Sequence, residues 1–137
     1  MKKILILISI CTSLIFANSD TNSSFEDALK VAQKEHKIIM IELVKEDCHF
    51  CKRMDKEVMS DDNISSALSK DFVVVKFDVN KDKLPLGLKK EMTPTFAFVK
   101  ESGELFSIIR GAWNREDFSA LLRYIKKKSK IKREIKE

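Results

Sequence analysis

Apolar positions along the chain fall into two kinds of pattern, short runs and helical stripes. Phe25, Ala28, Leu29 and Ala32 share one face of a helix over residues 23–35, and Ser23-Ser24-Phe25-Glu26 ahead of it fits a capping box. Ile38 to Val44 is nearly continuous in apolar residues, the pattern of a strand covered on both faces. Cys51, Met54 and Val58 then recur at helical spacing up to Met59, and Asp61-Asp62-Asn63 ends that helix and caps a short one through Leu68. Phe72 to Val79 is rich in β-branched residues and predicts a second strand. Lys83 to Glu91 predicts a short helix with Pro85 in its first turn. Thr95 to Val99 and Leu105 to Arg110 predict a hairpin of two strands around a Ser102-Gly103 turn. Asn114 caps a last helix whose apolar face carries Phe118, Leu121, Leu122 and Ile125. The order, αβα(α)βαββα, describes a layered α/β domain: a mixed sheet with helices on both faces.

At 137 residues the chain has room for one domain. Its 44% hydrophobic and 34% charged composition is that of a globular protein, and three glycines with two prolines exclude collagen-like repeats and long linkers. A net charge of +5 is basic, but it is not the large single-sign charge of a dedicated nucleic-acid binder, so no nucleic-acid partner is expected. Seven basic and two acidic residues gather between Lys126 and Glu137. Residues 129–137 are taken as a basic tail that forms a solvated helix end, with an anionic membrane surface as the alternative.

Met1-Lys2-Lys3 followed by the apolar stretch Ile4–Ala17 and polar Asn18-Ser19-Asp20 has the form of a secretory signal peptide, residues 1–17, cleaved near Ala17. It is short for a membrane span, which takes roughly 20 apolar residues. An uncleaved anchor is the alternative, and Ile10 disfavours lipidation at Cys11. Cleavage removes Cys11, Lys2 and Lys3, which takes the net charge from +5 to +3. Residues 18–128 then form the domain, placed in the periplasm, an oxidising space. A domain of this size needs no structural disulfide to fold.

Two cysteines remain, Cys48 and Cys51, directly after the first strand and at the opening of a helix. Unpaired N–H groups and the positive dipole end of a helix favour an anion there, so the first sulfur becomes a stabilised thiolate. The second, one turn on, can attack a mixed disulfide. The spacing makes Cys48 the nucleophile and Cys51 the resolving thiol. Haem attachment would require histidine where Lys52 stands, and zinc would need both His36 and His49 beside the two cysteines although His49 sits between them, so neither metal nor cofactor is expected. Three neighbours tune the pair. A cationic His49 stabilises the thiolate, Phe50 fills the other intervening position, and the carboxylate of Asp47 works against the thiolate. Glu42, the one ionisable residue in the first strand, is a candidate buried acid that accepts the proton of Cys51.

Together these residues resemble the thioredoxin superfamily, in particular its small periplasmic thioredoxin-like (SoxW-like) proteins. The resemblance covers about Phe25 to Ile125. It rests on Glu42-Leu43-Val44-Lys45-Glu46-Asp47-Cys48-His49-Phe50-Cys51-Lys52, on Val75-Lys76-Phe77-Asp78-Val79, on Thr93-Pro94-Thr95-Phe96 and on Arg110-Gly111-Ala112. It implies a thioredoxin fold with a central mixed sheet of four to five strands, a cis peptide at Thr93-Pro94 facing the disulfide, and a substrate peptide held by that loop as an added strand. It further implies that Gly111 leaves room for substrate and that Lys76 stands near the buried acid. Where the family has tryptophan before the first cysteine this chain has Asp47, and His49-Phe50 replaces Gly-Pro. The implied activity is thiol–disulfide exchange by a monomer, reducing protein or peptide disulfides and recycled by a membrane electron donor. Two alternatives stand beside it: an oxidase of the same fold, recharged by a membrane oxidant, and a non-catalytic peptide-binding or chaperone module.

Overall fold

A computed structural model describes residues 24–134; the leader assigned to residues 1–17, including Cys11 and Ala17, and the last three residues of the tail lie outside the described residues. Helix α1 (Phe25–Glu35) starts one residue later than the capping box suggested: Ser24 is the N-cap, and its Oγ accepts from Asp27 N. Strand β1 (Ile38–Val44) leads through a turn into α2 (His49–Arg53), which continues as a π-helical segment (Met54–Met59). Asp61 caps α3 (Asp62–Asp71) through the backbone N–H groups of Asn63 and Ile64. Strand β2 (Phe72–Asp78), the hairpin β3 (Thr95–Val99) and β4 (Leu105–Arg110), and α4 (Arg115–Glu134) complete the order.

The four strands form one sheet in the order β2-β1-β3-β4, with β1 parallel to β2 and antiparallel to β3. Alternation along β1 divides the core in two. Ile38 and Met40 join Phe96 and Phe98 beneath Met54, Val58, Ile64, Leu68 and the Phe118–Ile125 face of α4. Ile39, Ile41 and Leu43 face the other way, against Ala28 and Ala32 of α1. Helices therefore cover both faces, and β1, buried from Ile38 to Leu43, is the centre of the molecule. The loop after β1 sits at the end of this central strand, where the cysteines are.

The helix expected over Lys83–Glu91 is absent; Pro85–Gly87 makes one 3-10 turn instead. Pro85 does open it, but Leu86 (φ 55°) and Gly87 (φ 68°) lie in the left-handed region and cannot continue a helix. Leu84 and Leu88 on either side pack against the second core cluster, so burial of both ends overrides the local helical pattern. At the other end of the chain, α4 runs without a break through residues 128 and 129, and Ser129 is buried, its hydroxyl donating to Lys126 O.

Candidate active site

Cys48 and Cys51 are joined as a disulfide. The turn that presents them is closed by Cys48 N donating to Lys45 O, and Cys48 is the N-cap of α2. In place of a capping oxygen, Cys48 Sγ accepts from the backbone N–H of Cys51 at 3.1 Å. The cap position thus gives the first sulfur a main-chain donor, the interaction that stabilises a thiolate once the bond is reduced. Both sulfur-bearing residues are only 4% exposed, while the intervening His49 and Phe50 are exposed, Phe50 to 53%. The Phe50 ring is held edge-on by His49 and lies 5.2 Å from the Arg53 guanidinium, a cation–π distance. Asp47 is exposed ahead of Cys48.

Glu42 is fully buried, on the sheet face that carries Met40 and Phe96 and on which Met54 and Val58 pack. Neither of its oxygens has a hydrogen-bond partner among the described residues. The strand register sets Lys76 opposite it on β2, with Nζ 3.3 Å from Glu42 Oε2. That is ion-pair distance without hydrogen-bond geometry. Burial pushes the Glu42 carboxyl above its ordinary value; the Lys76 charge pulls it back only in part, and the charge of Asp55 adds to the rise. Asp55 accepts two hydrogen bonds from Lys76 Nζ, at 2.8 and 3.0 Å. Partial burial pulls Lys76 down, but the Asp55 hydrogen bond and the charges of Glu42 and Asp55 outweigh it and hold the ammonium above its ordinary value.

The Thr93-Pro94 peptide is cis, and Pro94 is buried. Two contacts fix this loop: Thr95 Oγ1 donates to Met92 O, and Arg110 on β4 pairs with Glu91. Pro94 O also accepts from Gly111 N at 2.9 Å, which ties the loop before β3 to the loop after β4. Pro94 and Gly111, far apart in sequence, are therefore direct neighbours. Gly111 has φ +93°, and a Cβ built there meets nothing within 4 Å in the chain itself. Its requirement within the fold is thus conformational. Gly111→Ala is expected to lose about 1–2 kcal/mol by urea denaturation, from the backbone alone; an unchanged midpoint would show that the loop relaxes freely.

Three features of the site escaped the sequence. Asp55, one turn beyond Cys51, connects the cysteine helix to Lys76. The expected α-helix over Lys52–Met59 becomes π-helical from Met54, where Trp113 N donates to Met54 Sδ and Arg115 Nε donates to Glu57 O. A cleft of about 590 Å³ opens between this segment and the start of α4, lined by Arg53, Glu57, Trp113 and Arg115 among others. Trp113 also packs against the first core cluster. The i+4 spacing of Asp55 from Cys51 is the one available sequence signal for that residue; the contacts of Trp113 and Arg115 span more than 50 positions and leave none. Among the described residues no group of three His, Cys, Asp or Glu is placed to hold a metal ion.

No curated protein sequence matches the chain. Among solved structures, a thioredoxin from Thermus thermophilus is 29% identical, with a TM-score of 0.60, over 74% of this chain and 82% of that one. DsbH oxidoreductase (16% identical, TM-score 0.61, 75% of this chain and 81% of that one) and the periplasmic thioredoxin SoxS from Paracoccus pantotrophus (17%, 0.54, 65% and 95%) share the fold. Residues 25–126, from the first residue of α1 into α4, match the thioredoxin-like domain family. The four-stranded mixed sheet, the helices on both faces and the disulfide at the mouth of α2 agree with that match, and the chain belongs to the thioredoxin-like domain family.

Proposed function

We propose that this protein is an exported thiol–disulfide oxidoreductase that reduces protein or peptide disulfides in the periplasm as a monomer. One observation carries the reading: a disulfide whose first sulfur caps a helix and accepts a main-chain N–H. In the reduced protein the Cys48 thiolate attacks a substrate disulfide. A mixed disulfide forms, and one substrate sulfur leaves as a thiolate. Cys51 gives its proton to Glu42 and attacks Cys48 Sγ; the second substrate sulfur leaves, and the Cys48–Cys51 disulfide closes. Two electrons pass to the substrate, and a membrane donor must return them. No cofactor enters any step.

The surface formed by Thr93, Pro94 and Gly111 receives the substrate main chain, and exposed Phe50 stands two positions after the nucleophile. His49 and Asp47 oppose one another in setting the thiolate, and Lys76 sets the acid. Glu42 assists the resolving step of reduction, because a buried base that deprotonates Cys51 speeds its attack on the mixed disulfide. The export reading rests on the residue 1–17 pattern. Equilibration of the cysteine pair with glutathione checks the direction of electron flow. A potential near about −270 mV is expected; one near −120 mV would make the protein an oxidant through His49, and a pair that cannot be cycled would leave only a binding module.

A further inference from the structure

Lys76 stands between two carboxylates that are not alike. Asp55 is about half exposed and takes two hydrogen bonds from Nζ; Glu42 is buried, 3.3 Å away, and takes none. The arrangement is built from two elements. Strand register pairs Glu42 with Lys76 across β1 and β2, and the π-helical segment brings in Asp55 from 21 positions earlier in the chain. We propose that Asp55 is a positioning residue: by engaging Lys76 it keeps that cation out of hydrogen-bond geometry with Glu42, and so leaves the buried acid basic enough to take the Cys51 proton. The role in catalysis rests on the proton-acceptor reading of Glu42; the placement of the cation does not.

The physical argument is a competition. A cation hydrogen-bonded to a carboxylate stabilises its charged form and makes it a weaker base. With Asp55 present, Lys76 Nζ donates to both Asp55 oxygens and to neither oxygen of Glu42. The Asp55 charge acts on Glu42 in the same direction. The charged groups facing Glu42 are Lys76 from β2 and Asp55 from the π-helical segment, while Phe96, its neighbour on β3, brings no charge. Removing Asp55 frees Lys76 to turn fully to Glu42.

The test reads Glu42 directly. In the oxidised full chain, where the cysteines do not titrate, the 13Cδ shift of Glu42 is followed against pH. Asp55→Asn is expected to lower the Glu42 midpoint by about one pH unit, a tenfold loss of proton affinity, within the range that a close opposite charge produces. Asp55→Glu should restore most of it, since it returns an acceptor for Lys76. In a Lys76→Gln background the effect of Asp55→Asn should shrink severalfold, because no cation is left to redirect. An unchanged or raised midpoint in Asp55→Asn overturns the proposal. So does a shift of undiminished size in the Lys76→Gln background, which would mean that Asp55 acts through its own charge alone. Because nothing turns over in this titration, failure of the oxidoreductase reading is seen separately, as a wild-type protein that cannot reduce a dithionitrobenzoate disulfide.

Discussion

Cys48→Ser is expected to remove disulfide reduction by about a thousandfold or more, the scale on which losing a nucleophile acts, while Cys51→Ser leaves the first attack intact. The asymmetry does not come from burial, since both cysteines are 4% exposed. It comes from the helix start. Cys48 Sγ occupies the cap position and accepts the Cys51 N–H, so its thiolate is stabilised by a donor and by the dipole end. A serine hydroxyl there would still cap the helix, so folding is preserved while the nucleophile is lost. Cys51 lies inside the helix, and in the proposed mechanism its thiol only displaces the substrate. In Cys51→Ser the mixed disulfide between Cys48 and substrate should therefore accumulate, visible by mass spectrometry as one substrate adduct released by dithiothreitol. A Cys48→Ser protein that retained its rate would reject the mechanism. One that still bound unfolded peptides without reducing them would be the expected remainder, the proposed peptide surface of Pro94 and Gly111 acting without its sulfur.

How much of this was legible in the chain follows from how local each signal is. Strand β1 and the strands of the hairpin are recognisable because their apolar runs are short and bounded by turn residues, and β1 spans Ile38–Val44 in the structure as in the sequence reading. The cysteine pair is local too: a strand, a turn and a helix start lie within about a dozen residues. The Lys83–Glu91 segment reads as a short helix because Pro85 can sit in a first helical turn. Its actual path is set by where Leu84 and Leu88 find a core, which lies elsewhere in the chain. The same holds for the site. Glu42 stands out within one strand as a charge among apolar neighbours, but that Lys76 is shared with Asp55 depends on the β1–β2 register and on a π-helical segment together. Gly111 was assigned to substrate clearance by resemblance; its φ of +93° supplies a second requirement that no side-chain pattern signals.

Glu42→Leu should make the protein more stable at neutral pH and a poorer catalyst. The carboxylate is fully buried with no hydrogen bond, and such a group costs about 1–3 kcal/mol relative to an apolar side chain of similar size. Lys76 is not orphaned by the change, because Asp55 keeps both of its hydrogen bonds to it. The sign with pH follows from the raised carboxyl of Glu42. Below the unfolded value, about 4.3, the acid is protonated in both states and costs little in charge. As pH rises past that value the unfolded chain releases the proton while the folded one holds it, so the wild type loses stability until the folded pKa is passed. The gain from Glu42→Leu in urea denaturation of the oxidised protein should accordingly be larger at pH 8 than at pH 5. A variant less stable than its parent at pH 7, or a gain that shrinks as pH rises, would mean that Glu42 is held charged by Lys76 as a structural ion pair. If Glu42 takes the proton of Cys51, Glu42→Leu should also slow release of reduced substrate while leaving the first attack by Cys48 unchanged.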